Sequence, residues 1–122
     1  MSSAGKRLPA WPALYGVLYP VILDAAKGSG YAIALHGSLG RDMDVIAVPW
    51  TEDAIPEHEL VDRVGQALTA HWWIELKHIH GDPAVHPHGR LVWTIVLEGG
   101  AFVDFGVMPR VPSVNATEKG EL

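Results

Sequence analysis

The stretch that most constrains this chain is a strand-length apolar run opening on two acids, Asp42-Met43-Asp44 before Val45-Ile46-Ala47-Val48. Side chains on a strand alternate faces, so the two carboxylates point the same way. Neighbouring like charges repel and are costly to strip of water. An otherwise apolar strand has little structural reason to carry them. A divalent cation such as Mg²⁺ supplies one, because it takes oxygen ligands and is typically held by one or two carboxylates plus substrate phosphates. A third acid, Asp104, lies inside another apolar run, Ala101 to Met108. Three acids on two neighbouring strands make a metal site suited to phosphoryl chemistry.

The chain has 122 residues, enough for one domain with a proper core and too few for two. Its apolar stretches fall short of a membrane span, and the basic start is broken by Pro9 and Pro12 rather than followed by a secretory apolar core. No membrane association is expected. Cysteine is absent, which removes disulfides, thiolate nucleophiles and cysteine zinc sites and fits the cytoplasm. A net charge of −5 argues against a broad nucleic-acid footprint, which needs clustered Lys and Arg. A small anionic ligand stays compatible, since a metal and a few arginines act locally.

Residues 1–10 read as a flexible tail and 111–122 as a polar one, leaving 11–110 as a single domain. Trp11, Leu14, Tyr15, Leu18, Ile22 and Ala25 recur at helical spacing, and Gly28-Ser29-Gly30 stops the helix. Pro20 inside this pattern must kink or split it. Tyr31 to Gly37 reads as a buried strand, and Ser38 to Arg41 as a tight reversal into the strand Asp42 to Val48. A second helix spans Pro56 to His71, with Leu60, Val61, Val64, Ala67 and Leu68 inward. Strands follow at Trp72 to His80, Arg90 to Leu97 and Ala101 to Met108. Gly81 to Gly89 is a loop and Glu98-Gly99-Gly100 a hairpin turn. This order predicts an α+β domain, a mixed or largely antiparallel sheet of about five strands covered by two helices.

A Gly-Ser ending one strand, an Asp-x-Asp on the next and a lone Asp on a later strand resemble the polymerase-β-like nucleotidyltransferase superfamily. The matching residues are Gly37, Ser38, Asp42, Asp44 and Asp104, and the resemblance spans Tyr31 to Met108. It implies a nucleotidyltransferase-like fold and transfer of a nucleotide from a nucleoside triphosphate to a hydroxyl acceptor. It further implies Mg²⁺ or Mn²⁺ at Asp42, Asp44 and Asp104, with Asp104 helping to activate the acceptor. Gly37 and Ser38 would contact phosphate, and Arg41 or Arg90 would supply a counter-charge. The physical logic is a metal clamp on attacking and leaving oxygens. Only Leu39, Gly40 and Arg41 separate the Gly-Ser from the acids, where family members carry a longer link with a short helical turn. The chain is in that sense a reduced relative. The run His88 to Ile95, with Val103-Asp104-Phe105 and Met108-Pro109-Arg110, also resembles small uncharacterised bacteriophage proteins.

Other readings stand beside this one. Asp42 also fits a turn residue partnered by Arg41, and Asp104 a buried acid paired to Arg90 or Arg41. The acids would then be structural, in a non-catalytic member of the fold that binds a ligand or a protein partner. Seven histidines include the pairs His78-x-His80 and His86-x-His88. If extended, each pair presents two imidazoles on one face, a start for a zinc site, or a polar loop that merely tolerates histidine. His80 or His88 could also serve as a base or phosphate contact at the edge of a carboxylate site. His36 reads as a core histidine on an apolar strand or, in the second place, as a group lining the site. Of five tryptophans, Trp93 reads as core, Trp72 and Trp73 face opposite sides, and Trp50 walls a pocket or covers the core. Exposed aromatic surface of this kind points to a homodimer.

Overall fold

The structure is a computed structural model that describes residues 12–37, 42–71, 76–79, 83–97 and 102–110. Helix α1 (Pro12–Gly28) leads into strand β1 (Tyr31–His36) and strand β2 (Asp42–Pro49). Helix α2 (Glu57–His71) follows, then β3 (Leu76–Ile79), the two-residue β4 (Ala84–Val85), β5 (Leu91–Leu97) and β6 (Phe102–Val107). The strands lie in the order β1-β2-β6-β5-β3, with β4 on the same outer edge of β5 as β3. Strands β2 and β6 run parallel and every other pairing is antiparallel. This is the α+β domain with a mixed sheet and two helices that the order of elements predicts.

The period-two pattern decides which face is covered. Met43, Val45 and Ala47 of β2 are buried, as are Val103, Phe105 and Val107 of β6 and Trp93, Ile95 and Leu97 of β5. Against them pack Tyr15, Leu18, Ile22 and Ala26 of α1 and Leu60, Val61, Val64 and Leu68 of α2. The intervening residues (Asp44, Ile46, Thr94 and Asp104 among them) lie on the opposite face and are half-buried. Among the described residues no helix covers that face.

Several expectations are corrected. Helix α1 runs through Pro20 as one element. Pro20 and Gly16, whose carbonyl loses its partner there, are both exposed, so water can take the place of the missing bond. Strand β1 is a sheet edge in which only Tyr31 is buried, because one side faces the uncovered surface. The loop 81–89 contains β4 and a 3₁₀ turn, Pro87–Gly89. The reversal 38–41, the Trp72–Trp73 pair, Trp11 and both tails lie outside the described residues. Among the described residues no helix is long and apolar enough to cross a membrane.

Candidate functional site

Strand register builds the site. His36 pairs with Asp44, Asp44 with Asp104, and Asp104 with Thr94, so one row crosses β1, β2, β6 and β5 on the uncovered face. Adjacent strands sit about 4.8 Å apart, which brings neighbouring side chains of such a row within contact. The carboxyl groups of Asp44 and Asp104 stand side by side at register partners on the two adjacent strands. Thr94 Oγ1 donates to Asp104 Oδ1 at 3.1 Å, fixing the second acid from its far side.

Burial pushes the Asp44 carboxyl above its ordinary range, and the facing charge of Asp104 adds to this. His36 and Arg90 pull the other way without reversing the outcome. The guanidinium therefore does not bring Asp44 back to its ordinary range. In the folded chain Asp44 keeps its proton to a higher pH than an unfolded aspartate, whose value is about 3.9. Protonated Asp44 thus favours the fold most fully below that value, and the contribution fades as pH rises through its raised value. A melting-temperature series in EDTA from about pH 4 to 7 is expected to fall more steeply for wild type than for Asp44→Asn. Parallel curves would show that the pair carries no pH-dependent stability.

Gly37 closes the row at the end of β1. Its φ of +81° is left-handed, and a Cβ there would lie 2.7 Å from Asp44 Oδ2. Glycine at this point lets the backbone turn while leaving room for the carboxyl. Arg90, just before β5, lies over Gly106 of β6 on the same face. Its Nη2 is 3.4 Å from Nδ1 of His86.

The structure thus brings Asp44, Asp104, Gly37 and Arg90 to one region. Asp42 shares the face one step along β2, opposite Phe102 rather than Asp104. Among the described residues no three His, Asp or Glu side chains gather closely enough to form a metal cage. Ser38, Arg41 and His80 lie outside the described residues, and His78 lies on β3. His86 and His88 do not share a strand face. His86 is extended, but His88 has φ 67° inside the 3₁₀ turn, which breaks the alternation that a paired-imidazole site requires. Trp50 does not wall the carboxylate site or cover the core. It is 78 % exposed and lies beyond the far end of β2, about 20 Å along the strand from Asp44.

His36 is not a core residue; it is exposed beside Asp44. Thr94 and Gly106 escaped sequence reasoning, although a signal for Thr94 exists. Counting back from the turn Glu98-Gly99-Gly100 pairs Leu97 with Ala101, and three steps further pairs Thr94 with Asp104.

Asp44 and Asp104 offer carboxylate oxygens from two adjacent strands, the ligand type that a hard divalent cation takes, without a third such group beside them among the described residues. Comparison of the chain with protein-family models and with curated proteins gives no match.

Proposed function

We propose that this chain is a divalent-cation-dependent, nucleotidyltransferase-like protein that moves a nucleotide from a nucleoside triphosphate to a hydroxyl acceptor. The observation that carries the reading is the facing pair Asp44–Asp104 on the uncovered sheet face. Like-charged groups held at register partners across two strands cost stability, and a ligand that neutralises them gives that cost a purpose. Asp44 and Asp104, with Asp42 on the same face, would hold Mg²⁺ or Mn²⁺. When bound, the cation supplies charge stabilisation to phosphoryl oxygens.

In the transfer, the acceptor oxygen bonds to the α-phosphorus and the bond from that phosphorus to the α–β bridging oxygen breaks. Pyrophosphate leaves with the bond electrons. The acceptor's proton passes to the Asp104 carboxylate, which Thr94 orients through its hydrogen bond. Arg90 faces the anionic substrate from the same side of the sheet.

The test is thermal melting with Mn²⁺ or Mg²⁺, alone and with each nucleoside triphosphate, alongside a pyrophosphate-release assay. Ligand at about a hundred times its Kd stabilises by about 2.7 kcal/mol, which moves the melting temperature by several degrees. Asp44→Asn is expected to remove both the shift and any release. Absence of a response to either cation, with or without nucleotide, sinks the proposal. A cation and nucleotide response without turnover leaves a binding protein of the same architecture. A zinc response lost on substituting His78 and His80, with Asp44→Asn silent, points instead to the histidines.

A further inference from the structure

Gly106 stands where glycine is costly. It is buried one residue before the end of β6, a strand paired on both sides, and pairs with Ile46 of β2 and Val92 of β5. Glycine inside a strand gives up backbone entropy and packs no side chain. No unusual φ explains it, because Gly106 is not among the residues of positive φ. The three atoms nearest to a Cβ placed there all belong to one side chain. Arg90 Nη1 would lie 3.0 Å from that Cβ, Arg90 Cδ 3.1 Å and Arg90 Cγ 3.4 Å. The missing methyl is therefore the lane along which Arg90 crosses the sheet.

That lane leads to the acids. Val92–Gly106 and Thr94–Asp104 are successive pairs on the uncovered face, so the guanidinium lies one step, about 7 Å along the strand, from the row that holds the carboxyl pair. Asp44 feels its charge. On its outer side Arg90 is tied back by the turn that precedes it. The His86 amide donates to the Arg90 carbonyl at 2.8 Å, the Gly89 amide donates to the His86 carbonyl at 3.2 Å, and His86 Nδ1 lies 3.4 Å from Arg90 Nη2. A guanidinium held flat by its stem keeps a planar fork of N–H donors that matches two phosphate oxygens at once.

We infer that Gly106 is a positioning residue, present so that Arg90 lies flat across β6 and holds a phosphate of a diphosphate-containing ligand beside the carboxyl pair. The inference rests on the proposed cation-dependent phosphoryl site but is separable from it. Inorganic pyrophosphate is the probe, titrated calorimetrically with Mn²⁺ and again in EDTA. Gly106→Ala presses on the part-exposed Arg90 side chain from Cγ to Nη1, which has to shift by a few tenths of an ångström, so its melting temperature is expected to stay close to that of wild type, with the Mn²⁺ response intact. Its pyrophosphate affinity is expected to fall about tenfold or more, as for Arg90→Gln, with Arg90→Lys retaining part of the binding. Adding Gly106→Ala to Arg90→Gln is expected to change nothing further, because the glycine acts through the arginine.

Wild-type affinity in Gly106→Ala, or additive losses in the double variant, overturns the inference and leaves the cation site untouched. A missing Mn²⁺ response with pyrophosphate binding that still depends on both residues sinks the cation reading alone. Failure of wild type to bind either probe overturns both.

Discussion

Asp104→Asn is expected to stabilise the protein while disabling it. Burial lifts Asp44 out of its ordinary range first and the facing charge of Asp104 adds to it; the amide removes that second contribution. Its oxygen can still accept from Thr94 Oγ1, so the local hydrogen bond survives. The melting temperature at neutral pH in EDTA should therefore equal or exceed that of wild type, while Asp44 titrates closer to an ordinary aspartate. Under the proposed function, the same variant loses one oxygen ligand and the proton acceptor. Nucleotide transfer is expected to fall by about a hundredfold or more, since the stabilisation at stake is several kcal/mol and each 1.4 kcal/mol is about tenfold. The opposed signs make this informative. A stability loss accompanying the functional loss would mark Asp104 as a structural residue whose removal damages the sheet.

Phe105→Ala, on the same strand but the other face, is expected to do the reverse and remove the fold itself. Phe105 is fully buried and pairs across strands with Trp93 in the layer beneath the helices. Truncation of a buried Phe to Ala costs about 3–5 kcal/mol, from lost transfer free energy and the cavity left behind. Small domains are stable by only about 5–15 kcal/mol in total, so much of the margin is lost. Chemical denaturation should show a lower midpoint with an unchanged slope. Val48→Ala is the control. Val48 is 42 % exposed on the uncovered face, and its truncation is expected to stay within about 0.5 kcal/mol of wild type. Equal losses in the two variants would mean that the face of Val48 is buried as deeply as the helix-covered one.

The fold was largely legible because its signals are local. The spacing of Leu60, Val61, Val64 and Leu68 gives a helix, and a glycine-rich turn between two apolar runs gives the β5–β6 hairpin. Two local errors have a common cause. Strand β1 read as buried and His36 as core because an apolar stretch carries no mark of where in the sheet it lies. Strand order is set by long-range pairing, which places β1 at the edge. The histidine pair at 86 and 88 failed differently. The spacing assumes extended backbone, and a left-handed His88 inside a short turn breaks that assumption.

The site was legible in its acids and not in their surroundings. Asp42, Asp44 and Asp104 stand out because charge in an apolar strand violates the pattern around it. Thr94, His36 and Gly106 violate nothing, and only register gives them meaning.

By itself, then, the sequence determined which segments become helix and strand, which side of each strand is apolar, and that charges interrupt two of those strands. Those properties follow from side-chain periodicity and backbone preference, which neighbouring residues settle among themselves. Only the tertiary structure decided that β6 inserts beside β2 in parallel, so that Asp44 meets Asp104 rather than Asp42 meeting it. It also decided that both helices take the same side of the sheet, away from the acidic face. Parallel pairing joins segments far apart in the chain through contacts that no local pattern encodes, and one register shift of a single residue would have sent Asp104 into the core.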